Sequence, residues 1–288
     1  MLVTAIWGAT FVMVKGAVAA FPVFAFLALR FALAWLALLP LWAWVRHRQG
    51  RGNPASGWTR QWARGILIGV FLFAGYAFQT GGLQYTTASK AGFITGLSVV
   101  MVPLFSAVVL RRPPGRWALV GVGLATAGMF LLSWGGDWHV GLGELLVLGC
   151  AFSFAAHITA VGAFAPRGDV LSLTATQIAT VGVLSAAASA AFERTWAAPP
   201  AEVWGAAAFT GVLATSFAFG VQTAAQRFTS PTHTALIFAA EPVFAAAFGF
   251  LLAGETLGVR ESVGCTLILL GMLTAEAAPL LLRGGRQG

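Results

Sequence analysis

The hydrophobic residues of this 288-residue chain fall into ten long runs separated by short polar connections. A helix needs about 20 apolar residues to cross the ~30 Å hydrocarbon core of a bilayer, and each run approaches that length. Strands of a membrane barrel would instead alternate polar and apolar residues over about ten positions. The pattern therefore predicts an all-α integral membrane protein with ten transmembrane helices. The predicted spans are 2–19, 24–45, 65–85, 90–110, 116–134, 142–165, 170–192, 203–226, 233–253 and 260–282.

Composition agrees with a membrane protein. Hydrophobic residues make up 58% of the chain and charged residues 9%, and the mean hydropathy is +0.83. Such a chain has too few polar groups to cover a surface in water. A net charge of +8 would suggest nucleic-acid binding in a soluble domain. Here the basic residues lie between membrane spans, so no nucleic-acid partner is expected, and membrane lipid is.

The basic residues also predict the orientation of the chain. If the amino terminus is cytoplasmic, twelve basic residues lie in the inner loops and tail, and three lie in the outer loops. The inner set is Arg46, Arg48, Arg51, Arg60, Arg64, Arg111, Arg112, Arg116, Arg167, Arg227, Arg283 and Arg286, and the outer set is Lys90, Arg194 and Arg260. This bias follows the positive-inside rule and predicts that both termini are cytoplasmic.

The two halves of the chain resemble each other. The segment GVFLFAGYAFQTGGLQYTTASKAG, which begins at Gly69, is similar to GVLATSFAFGVQTAAQRFTSPTHTA, which begins at Gly211. We therefore predict two repeats, residues 1–138 and 139–288, with five spans each. An odd number of spans inverts the second repeat relative to the first, which places a shared site near the bilayer midplane.

Pro103 and Pro242 lie in matching spans of the two repeats. Proline removes a backbone donor and bends a transmembrane helix. We expect the two prolines to act as hinges. In an alternating-access cycle, spans 3 and 4 would open one mouth and spans 8 and 9 the other.

Several of these segments resemble a known family. Trp7-Gly8, Arg30-Phe31, QYTTASKAGFITGL before Pro103, and EPVFAAAFGFLLAGETL from Glu241 are similar to the drug/metabolite transporter (DMT) superfamily of the EamA type. That group includes bacterial amino acid and metabolite exporters. The resemblance implies ten helices in two inverted repeats, cytoplasmic termini and export across the bacterial inner membrane.

Polar and aromatic side chains in the middle of the spans are the candidates for a substrate-binding central cavity, because such groups are costly in lipid and face protein or water. Tyr76 and Gln79 share one helical face, and Phe219 and Gln222 form the matching face in the second repeat. The full set is Trp7, Thr10, Tyr76, Gln79, Thr95, Ser98, Ser153, His157, Thr215, Ser216, Phe219 and Gln222.

Charged groups inside the spans are few. Glu241, directly before Pro242, is a possible proton or charge site, or a carboxylate paired within the hinge. Lys15 and Arg30 also lie inside spans, and both could reach the outer interface by snorkelling. For each polar candidate the alternative is structural, since Gln, Ser and Thr commonly bond between helices or back to their own helix.

Hydroxyls, amides and aromatic rings with few charges suit a small neutral or zwitterionic metabolite. The predicted function is a secondary transporter or facilitator that exports small metabolites, with aromatic or neutral amino acids favoured. The alternatives are an exporter of drugs or lipophilic cations, a channel, or a membrane-embedded enzyme. No nucleotide loop or metal-ligand spacing occurs in the sequence, so neither catalysis, a cofactor nor a metal is expected. Oligomeric state is not indicated by any motif.

Overall fold

The computed structural model describes residues 1–49, 58–133, 141–193, 198–253 and 258–284, and these ranges are helical and contain no β-strand. The helices are α1 (Leu2–Ala20), α2 (Val23–Gln49), α3 (Trp58–Gly82), α4 (Ala88–Gly96), α5 (Ser98–Val109), α6 (Arg116–Ser133), α7 (Leu142–Phe164), α8 (Val170–Phe192), α9 (Ala201–Gly211), α10 (Ala218–Ala225), α11 (Pro231–Phe238), α12 (Glu241–Ala253) and α13 (Val259–Gly284). A 3₁₀ turn, Ala165–Arg167, follows α7, and a π-helix, Val212–Phe217, joins α9 to α10.

Seven stretches within the described ranges are long and apolar enough to cross a membrane. They are α1, α2, α3, α7, α8, the combined α4–α5 stretch and the combined α9–α10 stretch. The predictions of an all-helical chain and of membrane-spanning helices are confirmed. The other three predicted spans correspond to α6, to the pair α11 and α12, and to α13, and the count of ten stays a prediction.

Two of the predicted spans are interrupted near their centres. Each starts with a hydroxyl cap, because the side chains of Thr87 and Ser230 each accept a hydrogen bond from the backbone N–H three residues ahead, at 3.2 Å. The first span then breaks at Leu97, between α4 and α5, and the second at Ala239 and Ala240, between α11 and α12.

The breaks match between the halves, but the prolines do not. Leu97 and Ala240 are separated by the same number of residues as Gln79 and Gln222. Pro242 is the second residue of α12 and directly follows the break. Pro103 lies inside α5 and is buried, beyond the break. The hinge predicted at Pro103 therefore does not coincide with the interruption of its span.

Small residues allow the closest helix contacts. A Cβ added to Gly121 or Gly128 would lie 2.5 Å from the carbonyl oxygen of Gly271 or Gly264, so α6 and α13 pack backbone to backbone. α3 lies against both α7 and α8, α2 lies against α8 and α9, and α5 contacts α7 and α11. The polar residues described next lie at the centre of this arrangement.

Candidate functional site

Arg30 is the charged group at the centre of the site. It belongs to α2 and is 2% exposed. Its Nε donates to the Thr215 hydroxyl at 2.9 Å, and its Nη2 donates to the Tyr76 hydroxyl at 3.1 Å. The guanidinium carbon also lies 4.7 Å from the centre of the Tyr76 ring, which is a cation–π distance. Arg30 is therefore held between helices, and the alternative of snorkelling to the interface is wrong for it, whereas Lys15 is exposed.

The π-helix Val212–Phe217 supplies acceptors for Arg30 and for Trp7. Its wide turns arise from an extra residue within a helix and often occur at functional sites. The Trp7 indole Nε1 donates to the Ala214 carbonyl oxygen at 2.7 Å. The Thr215 hydroxyl, which accepts from Arg30, donates to the Thr210 carbonyl oxygen at 2.9 Å. Ser216 is buried in the same segment. The π-helix thereby attaches α1 and α2 to the span formed by α9 and α10.

Aromatic rings surround this polar cluster. Phe219 is 3% exposed, and its ring centre lies 5.6 Å from Trp7, 6.3 Å from Tyr76 and 5.6 Å from His157. Trp7 also makes an edge contact with Phe238 at 4.8 Å. Four of these rings belong to the predicted set and come from different spans, those of Trp7, Tyr76, His157 and Phe219. Together the rings form an aromatic wall beside the Arg30 guanidinium.

A separate series of hydrogen-bonded side chains includes His157. Its Nε2 donates to Oε1 of Gln177 at 2.8 Å, because a carbonyl oxygen can only accept. Nε2 of Gln177 then donates to the Thr223 hydroxyl at 3.2 Å. The sequence analysis missed Gln177, although a buried amide inside the predicted span 170–192 was a visible signal. These hydrogen bonds join α7, α8 and α10.

The remaining amides differ in their surroundings. Gln79 is half-buried and donates to the Thr95 hydroxyl at 3.3 Å, and Thr95 contacts the Cys150 thiol at 3.7 Å. Gln222 is buried and donates to Gln226 at 3.0 Å. The Oε1 atom of Gln222 has no hydrogen-bond partner in the part of the chain that the structure describes.

Ser98 and Glu241 occupy equivalent positions, since each is the first residue after the break in its span. Both side chains are half-buried. Neither makes a hydrogen bond or ion pair with a residue in the described ranges. Glu241 begins α12, three residues after Phe238 in the chain, and α12 packs against α1.

Two predicted residues bond to their own helices. The Thr10 hydroxyl donates to the Trp7 carbonyl oxygen at 2.8 Å, and the Ser153 hydroxyl donates to the Gly149 carbonyl oxygen at 2.8 Å. These contacts are the structural role that serine and threonine often take in buried helices. Among the described residues, no group of three or more His, Cys, Asp or Glu side chains could hold a metal ion.

The chain is similar to known transporter sequences over most of its length. The sequence profile of the EamA-like transporter family matches residues 1–134 and again residues 141–275. An uncharacterized transporter from Archaeoglobus fulgidus is 34% identical over 272 residues, which is 94% of this chain and 82% of that protein. The uncharacterized transporter YetK from Bacillus subtilis is 26% identical over 228 residues, covering 75% of this chain and 66% of that one.

A solved crystal structure shares the fold. It superposes with a TM-score of 0.79 at 21% sequence identity and covers 97% of this chain and 96% of the other. At that identity the likeness speaks for the fold alone. The family match spans most of the sequence, and the named relatives are transporters, not enzymes. The chain belongs to the EamA-like transporter family and is a multi-pass membrane transporter of small molecules.

Proposed function

We propose that this transporter exports small metabolites, and amino acids in particular, across the cytoplasmic membrane by alternating access. Both termini would lie in the cytoplasm, and residues 1–138 and 139–288 would form two inverted repeats of five spans. The observation that carries the proposal is the pair of interrupted spans, which break at equivalent positions. Thr95 lies just before one break and bonds to Gln79, and Phe238 lies just before the other and contacts Trp7. Interrupted helices of this kind form the substrate sites of many secondary transporters.

The contacts between helices support the inverted repeats. α3 packs against α7, and its counterpart span, α9 with α10, packs against α1. In the same way α5 contacts α7, and its counterpart α12 contacts α1. α6 and α13, the last spans of the two halves, pack against each other. Exchanging the two halves leaves this list of contacts unchanged, as an internal pseudo-two-fold axis requires.

The interrupted spans also support a moving gate. The carboxyl-terminal part of one broken span, α5, contacts the amino-terminal part of the other, α11. Backbone groups freed at a break need new partners, so a break is a place where a helix can change direction at low cost. We propose that the spans bend at Leu97 and at Ala239–Ala240 next to Pro242, with Pro103 contributing a bend within α5.

The side chains around the breaks support a substrate with both apolar and polar parts. The rings of Trp7, Phe219 and Phe238 offer stacking surfaces, and hydroxyls and amides lie beside them. Within the described part of the chain, Arg30 is the one cation buried at this depth, which is too little positive charge for a phosphorylated metabolite.

Glu241 favours a second candidate, an exporter of lipophilic cations. A half-buried carboxylate without a bonded partner in the described ranges could hold a cation next to the aromatic wall. Replacement of Glu241 by glutamine separates the candidates. Cation export would be lost, whereas amino acid export would persist.

The test is uptake by proteoliposomes that contain the full-length protein. The panel is the twenty amino acids and several lipophilic cations, each measured with and without a pH gradient. Uptake of one or more amino acids above that of protein-free vesicles is expected, and Pro242→Ala should lower the turnover more than Pro103→Ala. Uptake of cations alone would replace the first candidate by the second. Unchanged turnover in both proline variants would refute the hinges.

A further inference from the structure

We infer that Arg30 binds the carboxylate of the transported molecule, so that the site selects carboxylate-bearing substrates such as α-amino acids and rejects their amides. The inference rests on the proposed function, because it specifies the substrate class for the same site. It differs from that proposal in assigning one residue and one functional group.

Arg30 lacks a counter-charge among the described residues. The Arg30 side chain is 2% exposed. In the described ranges an ion pair forms at the surface, between Arg260 and Glu261, and Arg30 forms none. A buried guanidinium without an anion is costly, and a cation–π contact with Tyr76 offsets part of that cost. An anion that arrives with the substrate would supply the missing charge.

Arg30 also has unused donor capacity. A guanidinium carries five N–H donors, and Arg30 uses two, one on Nε and one on Nη2. Nη1 makes no hydrogen bond with any described residue, and it is not completely occluded. This edge of the guanidinium therefore has donors left for a ligand. Two parallel N–H groups match the two oxygens of a carboxylate.

The Arg30 guanidinium is also preorganised. Tyr76 on α3 and Thr215 in the π-helix hold the guanidinium from two sides, so binding would cost little side-chain entropy. The Trp7 indole is attached to Ala214, the residue before Thr215. A carboxylate on Arg30 would therefore place the remainder of a small molecule next to the rings of Trp7 and Phe219.

A purely structural Arg30 would also tie α3 to the π-helix, so the test must separate the two roles. The full-length protein is placed in lipid nanodiscs, and dissociation constants are measured for two matched pairs, L-phenylalanine with L-phenylalaninamide and L-leucine with L-leucinamide. We expect at least one acid to bind about 10- to 100-fold more tightly than its amide, as for a hydrogen-bonded charge. Arg30→Gln should weaken the acid by that factor and bring the ratio close to one.

Arg30→Lys keeps the charge without the fork, and it provides a folded variant if the glutamine protein does not fold. It should weaken binding of the acid several-fold and leave binding of the amide unchanged. Arg260→Gln removes a surface cation and should match the wild type.

Two results would overturn the inference while the proposed function stands. In the first, wild-type protein binds an acid and its amide equally. In the second, the Arg30 variants weaken both compounds in parallel and preserve their ratio, as a structural role requires. If neither acid binds, and no amino acid is taken up by proteoliposomes, the proposed function and the inference fail together.

Discussion

Two buried polar residues occupy matching places in the molecule, Arg30 in α2 and Gln177 in α8. A Cβ added to Gly211 would lie 2.6 Å from the Arg30 carbonyl oxygen, and a Cβ added to Gly69 would lie 2.9 Å from the Gln177 carbonyl oxygen. In each case a glycine allows one span to approach the backbone of another, at a residue whose side chain is buried among polar groups. The residue at this contact is a cation in α2, Arg30, and a neutral amide in α8, Gln177.

The spans that approach these two residues differ by one residue. From Gly69 to Gln79, α3 is an uninterrupted α-helix, whereas the segment from Gly211 to Gln222 is one residue longer and contains the π-helix. The extra residue keeps both ends of the segment in register and widens the turn between them. The widened turn carries Ala214 and Thr215, which bind Trp7 and Arg30. Relative to α3, the one-residue insertion thus coincides with an acceptor site for the cation.

The largest effect is expected from removing that insertion. Deleting Leu213, whose side chain is exposed, should convert the π-helix to a regular α-helix like the matching segment of α3. The ends of the segment would stay in register, but the wide turn that presents Ala214 to Trp7 and Thr215 to Arg30 would be lost. We expect proteoliposome uptake to fall by more than about 100-fold, since a charge-assisted hydrogen bond and its geometry are lost.

Leu213→Ala is the matched control for this deletion, because it shortens the same side chain and keeps the chain length. Its uptake should stay within about threefold of wild type, as for a substitution away from buried features. Wild-type uptake by the deletion variant would show that the π-helix does not organise the site.

Disrupting either of the two glycine contacts should have a smaller effect, and the loss of stability should be similar for both. Gly211→Ala and Gly69→Ala each place a methyl group closer than 3.0 Å to a neighbouring backbone oxygen. Each should lower the free energy of unfolding by about 1–3 kcal/mol, because the helices must move apart. Thermal unfolding in detergent measures the change. Gly205→Ala, which meets no atom within 4 Å, should raise the stability by up to about 1 kcal/mol. Destabilisation by all three alanines would instead indicate a general sensitivity to added volume.

Replacing the neutral member of the pair should have the smallest effect on binding. Gln177→Leu removes the partner of both His157 and Thr223, so we expect a loss of about 1–2 kcal/mol in stability. Binding of L-phenylalanine should change less than about threefold, in contrast to the loss expected for Arg30→Gln. Isothermal titration of both variants makes the comparison. Equal losses of affinity would place Gln177 in the binding site as well.

Several features of the site were predictable from sequence, and others were not. The runs of apolar residues predicted helices at the right places, since a helix satisfies its own backbone in lipid. Trp7, Tyr76, Thr215 and Phe219 were chosen as mid-span polar or aromatic residues, and the structure brings all four together. Gln177 was missed because it has no counterpart in the repeated polar stripes that guided the choice.

The prolines show why a local signal can mislead. A proline inside a helix predicts a bend at its own position. In α5 the span instead breaks at Leu97, before Pro103, and it does so at the position equivalent to the break before Pro242. The position of the break is thus shared between the two halves, whereas the position of the proline is not.

Residues close together in the chain were enough to predict a membrane environment, a helical fold, the approximate spans and the repeat, because each of these depends on local pattern. The position of the Arg30 side chain depended on the tertiary fold. A lone arginine in an apolar span can reach the interface or turn inward, and the choice depends on whether Tyr76 and Thr215 are within reach. Those partners come from other helices, and their distances are set by glycine contacts and by a π-helix. Long-range packing therefore decided the position of a side chain that the local pattern left open.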